Sequence, residues 1–274
     1  MPPLHHIVVT RLNLTLGFAH ARETLDADWL RRRLEPFAAV CHPSMRAQTA
    51  PHRWVVAVDE RTPEAVLGEL AAFPGVELVA LAAPQSVEDL GRAVAGLLGE
   101  DASGHLMTTR LDSDDALATG HLERLQRAFE PRDEPYFLNF PFGHMWHERR
   151  LYACADPANP CLSYVEPLRA AAVPDTVYRV AHVWAHRVAP VRQLWAPSMW
   201  MQLIGDHNEV SEVDGVRSVR GRPPHGFRSQ PAFASVDGAG RWAAAVRDAP
   251  RYLRRHRGWW PALLPWRTAT RAER

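Results

Sequence analysis

Through the first half of the chain, short apolar runs alternate with helix-patterned segments. No other sequence feature constrains the fold as strongly. Residues 6–10 (HIVVT) form a β-branched run. Residues 25–37 follow with helical spacing, which places Trp29, Leu30, Leu34 and Phe37 near one face. Residues 54–58 (WVVAV) read as a second strand ending in Asp59. Thr62 as N-cap and Pro63 in the first turn predict a helix that turns Val66, Leu67 and Leu70 inward. Residues 76–81 read as a third strand, and 86–98 as a helix opened by a capping-box pattern at Ser86 and Asp89. Residues 106–111 (LMTTRL) form a fourth strand, after which Asp114 or Asp115 is expected to start a helix running to about Phe129. Strands separated by helices of about 10–15 residues predict βαβ units. The expected class is therefore α/β, with a mostly parallel central sheet flanked by helices. Right-handed crossovers place its strand C-termini along one edge.

The second half is less regular and rich in Pro, Trp and His. Its strand candidates are 136–142, 151–153 and 176–180, with a short helix possible over 165–172. Residues 205–235 read as loop or partly disordered, and 240–256 as helical. The organisation expected is a catalytic domain over 1–235, nucleotide-binding to about 130 and acceptor-binding beyond it. A basic, aromatic tail over 236–274 follows.

Composition mainly excludes. A 274-residue chain with 46% hydrophobic and 23% charged residues can bury a substantial core. A net charge of +1 gives no general pull toward nucleic acid. Every basic side chain is Arg, so a single Arg says less than usual. Cys41, Cys154 and Cys161 show no CxxC spacing, which argues against a zinc knuckle or disulfide framework. The opening MPPLHHIVVTRLNL lacks the pattern of a secretory signal, and no window is apolar enough to span a bilayer. The expected location is cytoplasmic, with peripheral contact at the inner face of the cell membrane as an option.

The segment with most chemical content is TTRLDSDDAL, residues 108–117. A strand runs straight into Asp112, Asp114 and Asp115, and open α/β sheets bind ligands beyond strand C-termini. Clustered carboxylates must be solvated, hydrogen-bonded or bound to a cation. Asp112 and Asp114, in Asp-x-Asp spacing, suit an Mg²⁺ or Mn²⁺ ion held against a diphosphate. The plainer alternative is that they cap the following helix.

The same segment resembles a bacterial rhamnosyltransferase family of the GT-A-type nucleotide-diphospho-sugar transferase fold. The likeness extends to residues 6–13 (HIVVTRLN), to Ser44-Met-Arg-Ala-Gln48 followed by 54–59, to the stretch from Thr176 to His182, and to that from Met199 to Asn208. The resemblance implies that Asp112 and Asp114 serve metal and diphosphate, with Asp112 also touching the donor. It implies that Thr10, Arg11 and Asp59 lie near the nucleotide. It also implies a metal-ligating His after Trp200-Met-Gln202; here His207 stands in that region, displaced from the expected spacing.

Other residues have two readings each. Asp59 could accept ribose hydroxyls or be a solvated turn residue. Arg11 and Arg110 could clamp phosphate, although Arg110 could instead pair with a nearby Asp. A general base for the acceptor hydroxyl is sought in the second half, where Glu166 and Glu148 are candidates; Asp115 joins Glu166 as a catalytic candidate. Residues 180–188 alternate like a strand, which would put His182 and His186 on one face. The run from Arg251 to Arg267 mixes Arg and Trp, as interfacial segments do, or packs on the catalytic domain. The expected activity is glycosyl transfer from a nucleotide-diphosphate sugar to a hydroxyl on a glycan or lipid-linked acceptor. The alternatives are Mg²⁺-dependent nucleotidyl or phosphoryl transfer, although no GxxxxGK[ST] loop is present, and a non-enzymatic membrane-surface scaffold.

Overall fold

A computed structural model describes residues 2–16, 25–99, 102–205 and 212–264, and the backbone of 266–267. The alternation of the first half becomes β1 (Leu4–Arg11), α1 (Ala27–Pro36), α2 (His42–Arg46), β2 (Arg53–Asp59), α3 (Glu64–Ala71), β3 (Glu77–Leu81), α4 (Val87–Leu98) and β4 (His105–Arg110). Then come β5 (Ala116–Leu117), α5 (His121–Ala128), β6 (Tyr136–Asn139), β7 (Phe142–His147), β8 (Arg150–Ala155) and β9 (Ser163–Pro167). The chain continues as α6 (Ala185–Val188), β10 (Val191–Gln193), β11 (Trp200–Leu203), β12 (Val216–Arg217), α7 (Arg241–Arg255) and β13 (Trp266–Arg267).

Among the described residues, eight strands form one sheet in the order β13-β10-β6-β9-β4-β1-β2-β3. β3, β2, β1, β4, β6 and β10 run in one direction, while β9 and β13 run the other way. The central sheet is therefore mostly parallel, and the C-terminal ends of β1, β2 and β4 share one edge. A second sheet, β12-β8-β7-β11-β5, lies beyond it. Alternation along β1 and β4 feeds two cores. Val8, Leu12, Met107 and Leu111 pack with α1, α3, α5 and the second sheet. Ile7, Val9 and Leu106 pack with α4 and the segment around Tyr178.

Local chemistry accounts for the boundaries. Asp26 caps α1 by accepting from Trp29 N at 2.6 Å. Pro36 lacks an N–H, and the helix passes directly into a π-turn at Phe37–Cys41 before α2 resumes. The Ser86/Asp89 capping box forms as expected. The expected cap of α3 does not: Pro63 takes the N-cap position, and the Thr62 hydroxyl donates to Asp59 O at 2.6 Å. The segment 136–142 divides into β6 and β7, and 165–172 begins in strand β9 instead of a helix. Residues 176–180 form a 3-10 turn capped by Thr176. Residues 180–188 likewise hold a 3-10 turn and α6, not a strand.

The β7–β8 hairpin turns through Glu148 and Arg149, at φ 47° and 60°. Two successive positive φ values are what Asn-Gly supplies cheaply. Arg149→Gly is expected to raise stability by about 0.5–1 kcal/mol, read as a higher denaturant midpoint at unchanged slope.

Candidate active site

The acidic segment is a turn, and it caps no helix. Asp115 N bonds to Asp112 O at 3.1 Å, β5 follows, and α5 starts at His121 behind Gly120 as N-cap. Both sequence readings that assigned a helix start to Asp114 or Asp115 are corrected here. Arg110 takes Asp112 on the side of Tyr178 and Arg33 of α1 faces Asp114, while the three carboxylates stay close enough for Asp112 to raise the pKa of both Asp114 and Asp115.

Arg110 grips Asp112 bidentately, Nε to Oδ1 at 2.9 Å and Nη2 to Oδ2 at 2.7 Å. Burial acts to raise the Asp112 pKa, but the Arg110 charge and hydrogen bonds, helped by Arg11 and His182, overcome it and hold the carboxyl at about 2. The Arg11 and Arg110 guanidiniums lie 5.9 and 5.5 Å from the centre of the Tyr178 ring. Tyr178 is fixed from below. Thr108 Oγ1 accepts from Val177 N at 2.8 Å, and the Tyr178 hydroxyl donates to Val9 O at 3.3 Å. His182 joins this group: its Nδ1 meets the Ala158 carbonyl, so that nitrogen carries the proton and Nε2 the lone pair. Burial and the Arg110 charge lower its pKa to about 4, so the imidazole is neutral at physiological pH.

Asp114 faces Arg33 at 3.9 Å, and Arg33 also donates to Ser113 Oγ at 2.8 Å. Asp115 accepts from Leu203 N at 3.2 Å, which ties the turn to β11. Burial raises both pKa values, Asp115 the more strongly, with neighbouring carboxylates adding to the effect. Cys41 lies near all three acids, and burial, with their charges adding, pushes its thiol up. All three cysteines are buried and free.

The remaining candidates fall elsewhere. The Thr10 hydroxyl is in the core, accepting from Trp54 Nε1 at 3.0 Å. Asp59 is 1% exposed, and its carboxylate is taken by Arg61 (2.9 and 2.7 Å), by Arg61 N (2.8 Å) and by Gln85. It closes the β2–α3 turn, so the ribose reading has no open carboxylate to use. Glu166 pairs in register with Leu106, at the opposite end of β4 from Asp112. That is roughly 13 Å along the strand from Arg110, too far for a base at this edge. Its Oε1 is buried without a hydrogen bond, and burial, with Asp175 adding, raises its pKa to about 8. Glu148 is on the hairpin turn beside Arg150. His182 and His186 follow one another through a 3-10 turn and α6, and His182 lies near Asp112. His207 lies outside the described residues.

Sequence reasoning missed Tyr178, which was hidden in a false strand. It also missed Ser44 and Gln48 as anchors of the acidic turn. Ser44 Oγ accepts from Leu117 N at 3.2 Å, while Gln48 accepts from Leu122 N at 3.2 Å and donates to Ala118 O at 3.1 Å. Both belong to the stretch expected to lead into the second strand; Ser44 is in α2.

The family model described as "Putative rhamnosyl transferase" matches residues 14–217. The chain belongs to this family. The match includes the acidic turn, Tyr178 and His182; Arg11 and α7 lie beyond its ends. The βαβ order and mostly parallel central sheet agree with the α/β class expected of it. A search of curated proteins finds no match.

Solved structures with similar shape include Staphylococcus aureus TarS 1–349, at 11% identity and TM-score 0.33, covering 58% of this chain and 46% of that one. The same TarS segment in complex with UDP-GlcNAc has 11% identity and TM-score 0.42, covering 93% of this chain and 75% of that one. The inositol-1-phosphate CTP transferase of Thermotoga maritima (T. maritima) has 13% identity and TM-score 0.30, covering 74% and 90%. The chain thus spans less than half the length of the first of these. At TM-scores below 0.5, nothing is carried over from them.

A divalent ion needs converging oxygen ligands. Asp112 is engaged by Arg110, Asp114 faces Arg33, and Asp115 receives Leu203 N. Among the described residues, no group of three or more His, Cys, Asp or Glu side chains could hold a metal ion. His207, the third ligand expected with Asp112 and Asp114, lies outside those residues.

Proposed function

We propose that this rhamnosyl transferase family member moves a sugar from a nucleotide-diphosphate donor to a hydroxyl acceptor at the C-terminal edge of β1 and β4. The family description suggests rhamnose as the sugar. The observation that carries the proposal is the pairing of Arg11 and Arg110 over Tyr178, with Asp112 and neutral His182 beside them. Departure of a nucleoside diphosphate develops negative charge, and fixed guanidiniums stabilise it without reorganising at the moment of reaction. Asp112 holds the Arg110 fork in one orientation. His182, with its lone pair on Nε2, is the proton acceptor for the incoming hydroxyl in this reading, in place of Glu166. A bound diphosphate would offset the guanidinium charge that lowers the His182 pKa and so make it a better base. The acceptor is a glycan or lipid-linked hydroxyl. Work at the cytoplasmic membrane surface would suit the latter. No described helix is long and apolar enough to cross a membrane.

Titration of UDP, GDP and dTDP by calorimetry, in EDTA and in Mn²⁺, tests the reading through the sign of one variant. If Arg11 and Arg110 hold the diphosphate, binding persists in EDTA. Asp112→Asn then removes a competing anion and tightens it several-fold, while Arg11→Ala weakens it about 30-fold. Binding seen only with Mn²⁺ and abolished in Asp112→Asn would replace the guanidinium clamp with a metal site. No binding of any nucleoside diphosphate would overturn the donor assignment.

A further inference from the structure

α7 is amphipathic in a way that its own packing does not use up. One side is seated on the second sheet. The Tyr252 hydroxyl accepts from Ala155 N at 2.7 Å and donates to Ala155 O at 2.8 Å, and His256 Nε2 meets Asp214 at 2.9 Å. Those contacts fix which way the helix faces. Trp242, Val246 and Leu253 lie about 100° round the helix from Tyr252, exposed by 65%, 74% and 49%. At about 100° per residue their directions fall within roughly 40° of arc, so they form one stripe. Arg254 and Arg251 are exposed about 100° and 160° round the helix from the stripe's centre, and Arg257 is exposed just past the helix end. From 241 to 257 the segment carries Arg241, Arg247, Arg251, Arg254, Arg255 and Arg257 against Asp248 alone, on a chain whose net charge is only +1. Just beyond, Trp260 and Leu264 are exposed at 45% and 56%, and Trp195, at 65%, donates from Nε1 to Leu263 O at 2.8 Å.

We infer that the outward face of α7 is a docking surface for an anionic lipid membrane. An apolar stripe with an aromatic end, on a helix whose remaining exposed side carries arginines, matches the depth profile of a bilayer interface: acyl boundary under the stripe, phosphate headgroups around the guanidiniums above it. A second copy of this chain fits less well, because a two-fold contact would set the same arginine-rich face against itself. The surface is separate from the candidate active site and rests on none of its residues. It would hold the enzyme at the plane where a lipid-linked acceptor is presented.

Flotation of the full chain with vesicles tests this, using phosphatidylcholine alone and an equal mixture of phosphatidylcholine and phosphatidylglycerol. The chain is expected to float with the mixture, to stay behind with phosphatidylcholine, and to be released by high salt. Arg251→Gln with Arg254→Gln is expected to lower the partition coefficient roughly twentyfold, about fivefold for each charge. Trp242→Ser with Leu253→Ser is expected to lower it at least roughly tenfold. These side chains are outside the core, so circular dichroism and UDP binding should stay at wild-type values in both variants. Retained UDP binding also separates failure here from failure of the donor assignment. Absence of flotation with the mixture, or flotation of the Trp242/Leu253 variant equal to wild type, would overturn the inference. So would a wild-type dimer that becomes monomeric in that variant.

Discussion

Arg110→Ala is expected to weaken nucleoside diphosphate binding by about 30- to 100-fold and, separately, to cost about 2 kcal/mol of folding stability. The first effect follows from losing a fixed guanidinium charge beside the phosphate position. The second follows from Asp112. Its carboxyl sits at about 2 only because the Arg110 charge and hydrogen bonds outweigh burial, against about 3.9 in an unfolded chain. With a side chain only 23% exposed, that difference is not screened away, although it remains an order of magnitude. A depressed carboxyl pKa contributes stability that is complete above the unfolded value and disappears as pH falls toward the folded one. The gap between wild type and Arg110→Ala should therefore be widest above about pH 5 and narrow from about pH 4 toward pH 2. Urea unfolding at several pH values measures it. A gap independent of pH would mean that the stability loss comes from packing over Tyr178, not from the ion pair.

Arg110 also shows how far the sequence could be read. The βαβ order and the position of the acidic segment at the end of β4 were legible, because strand and helix periods are local and the first half obeys them. The partners of its carboxylates were not. Asp-x-Asp spacing draws attention to carboxylates. Yet carboxylates two apart in a turn can meet different partners, as Asp112 meets Arg110 and Asp114 meets Arg33. Whether a carboxylate is open or already matched depends on long-range partners such as Arg33, 81 residues from Asp114 in the chain, and Leu203 N, 88 residues from Asp115. Asp59 shows the local version: Arg61, two residues on, closes its carboxylate, and Gln85 completes the shell. Tyr178 was lost for another reason. Residues 176–180 are β-branched and aromatic, so propensity favours a strand. The Thr176 cap and the Thr108 hydroxyl fold them into a turn instead.

Gly143→Ala is expected to be the most destabilising single change in the second sheet, costing about 3 kcal/mol or more. A Cβ at Gly143 would lie 2.2 Å from both Cδ2 and Cε2 of Trp200. The indole cannot retreat. It is 1% exposed, and its Nε1 donates to Phe140 O at 2.7 Å, so moving the ring would also strand a buried donor. Neither can the strands slide, since β7 and β11 pair in fixed register with His144 opposite Met201. The strain should therefore separate β11 from β7. β11 delivers Leu203 N to Asp115, and its pairing with β5 holds the far side of the acidic turn. Loss of donor binding should accompany the loss of stability, although Gly143 is remote from Arg11 and Arg110 in the topology. Thermal unfolding and UDP titration on the same variant examine both. Trp200→Phe in the Gly143→Ala background relieves the clash with the six-membered part of the indole, and should recover part of each. If stability returned without binding, the link from β11 through Asp115 to the donor site would be broken.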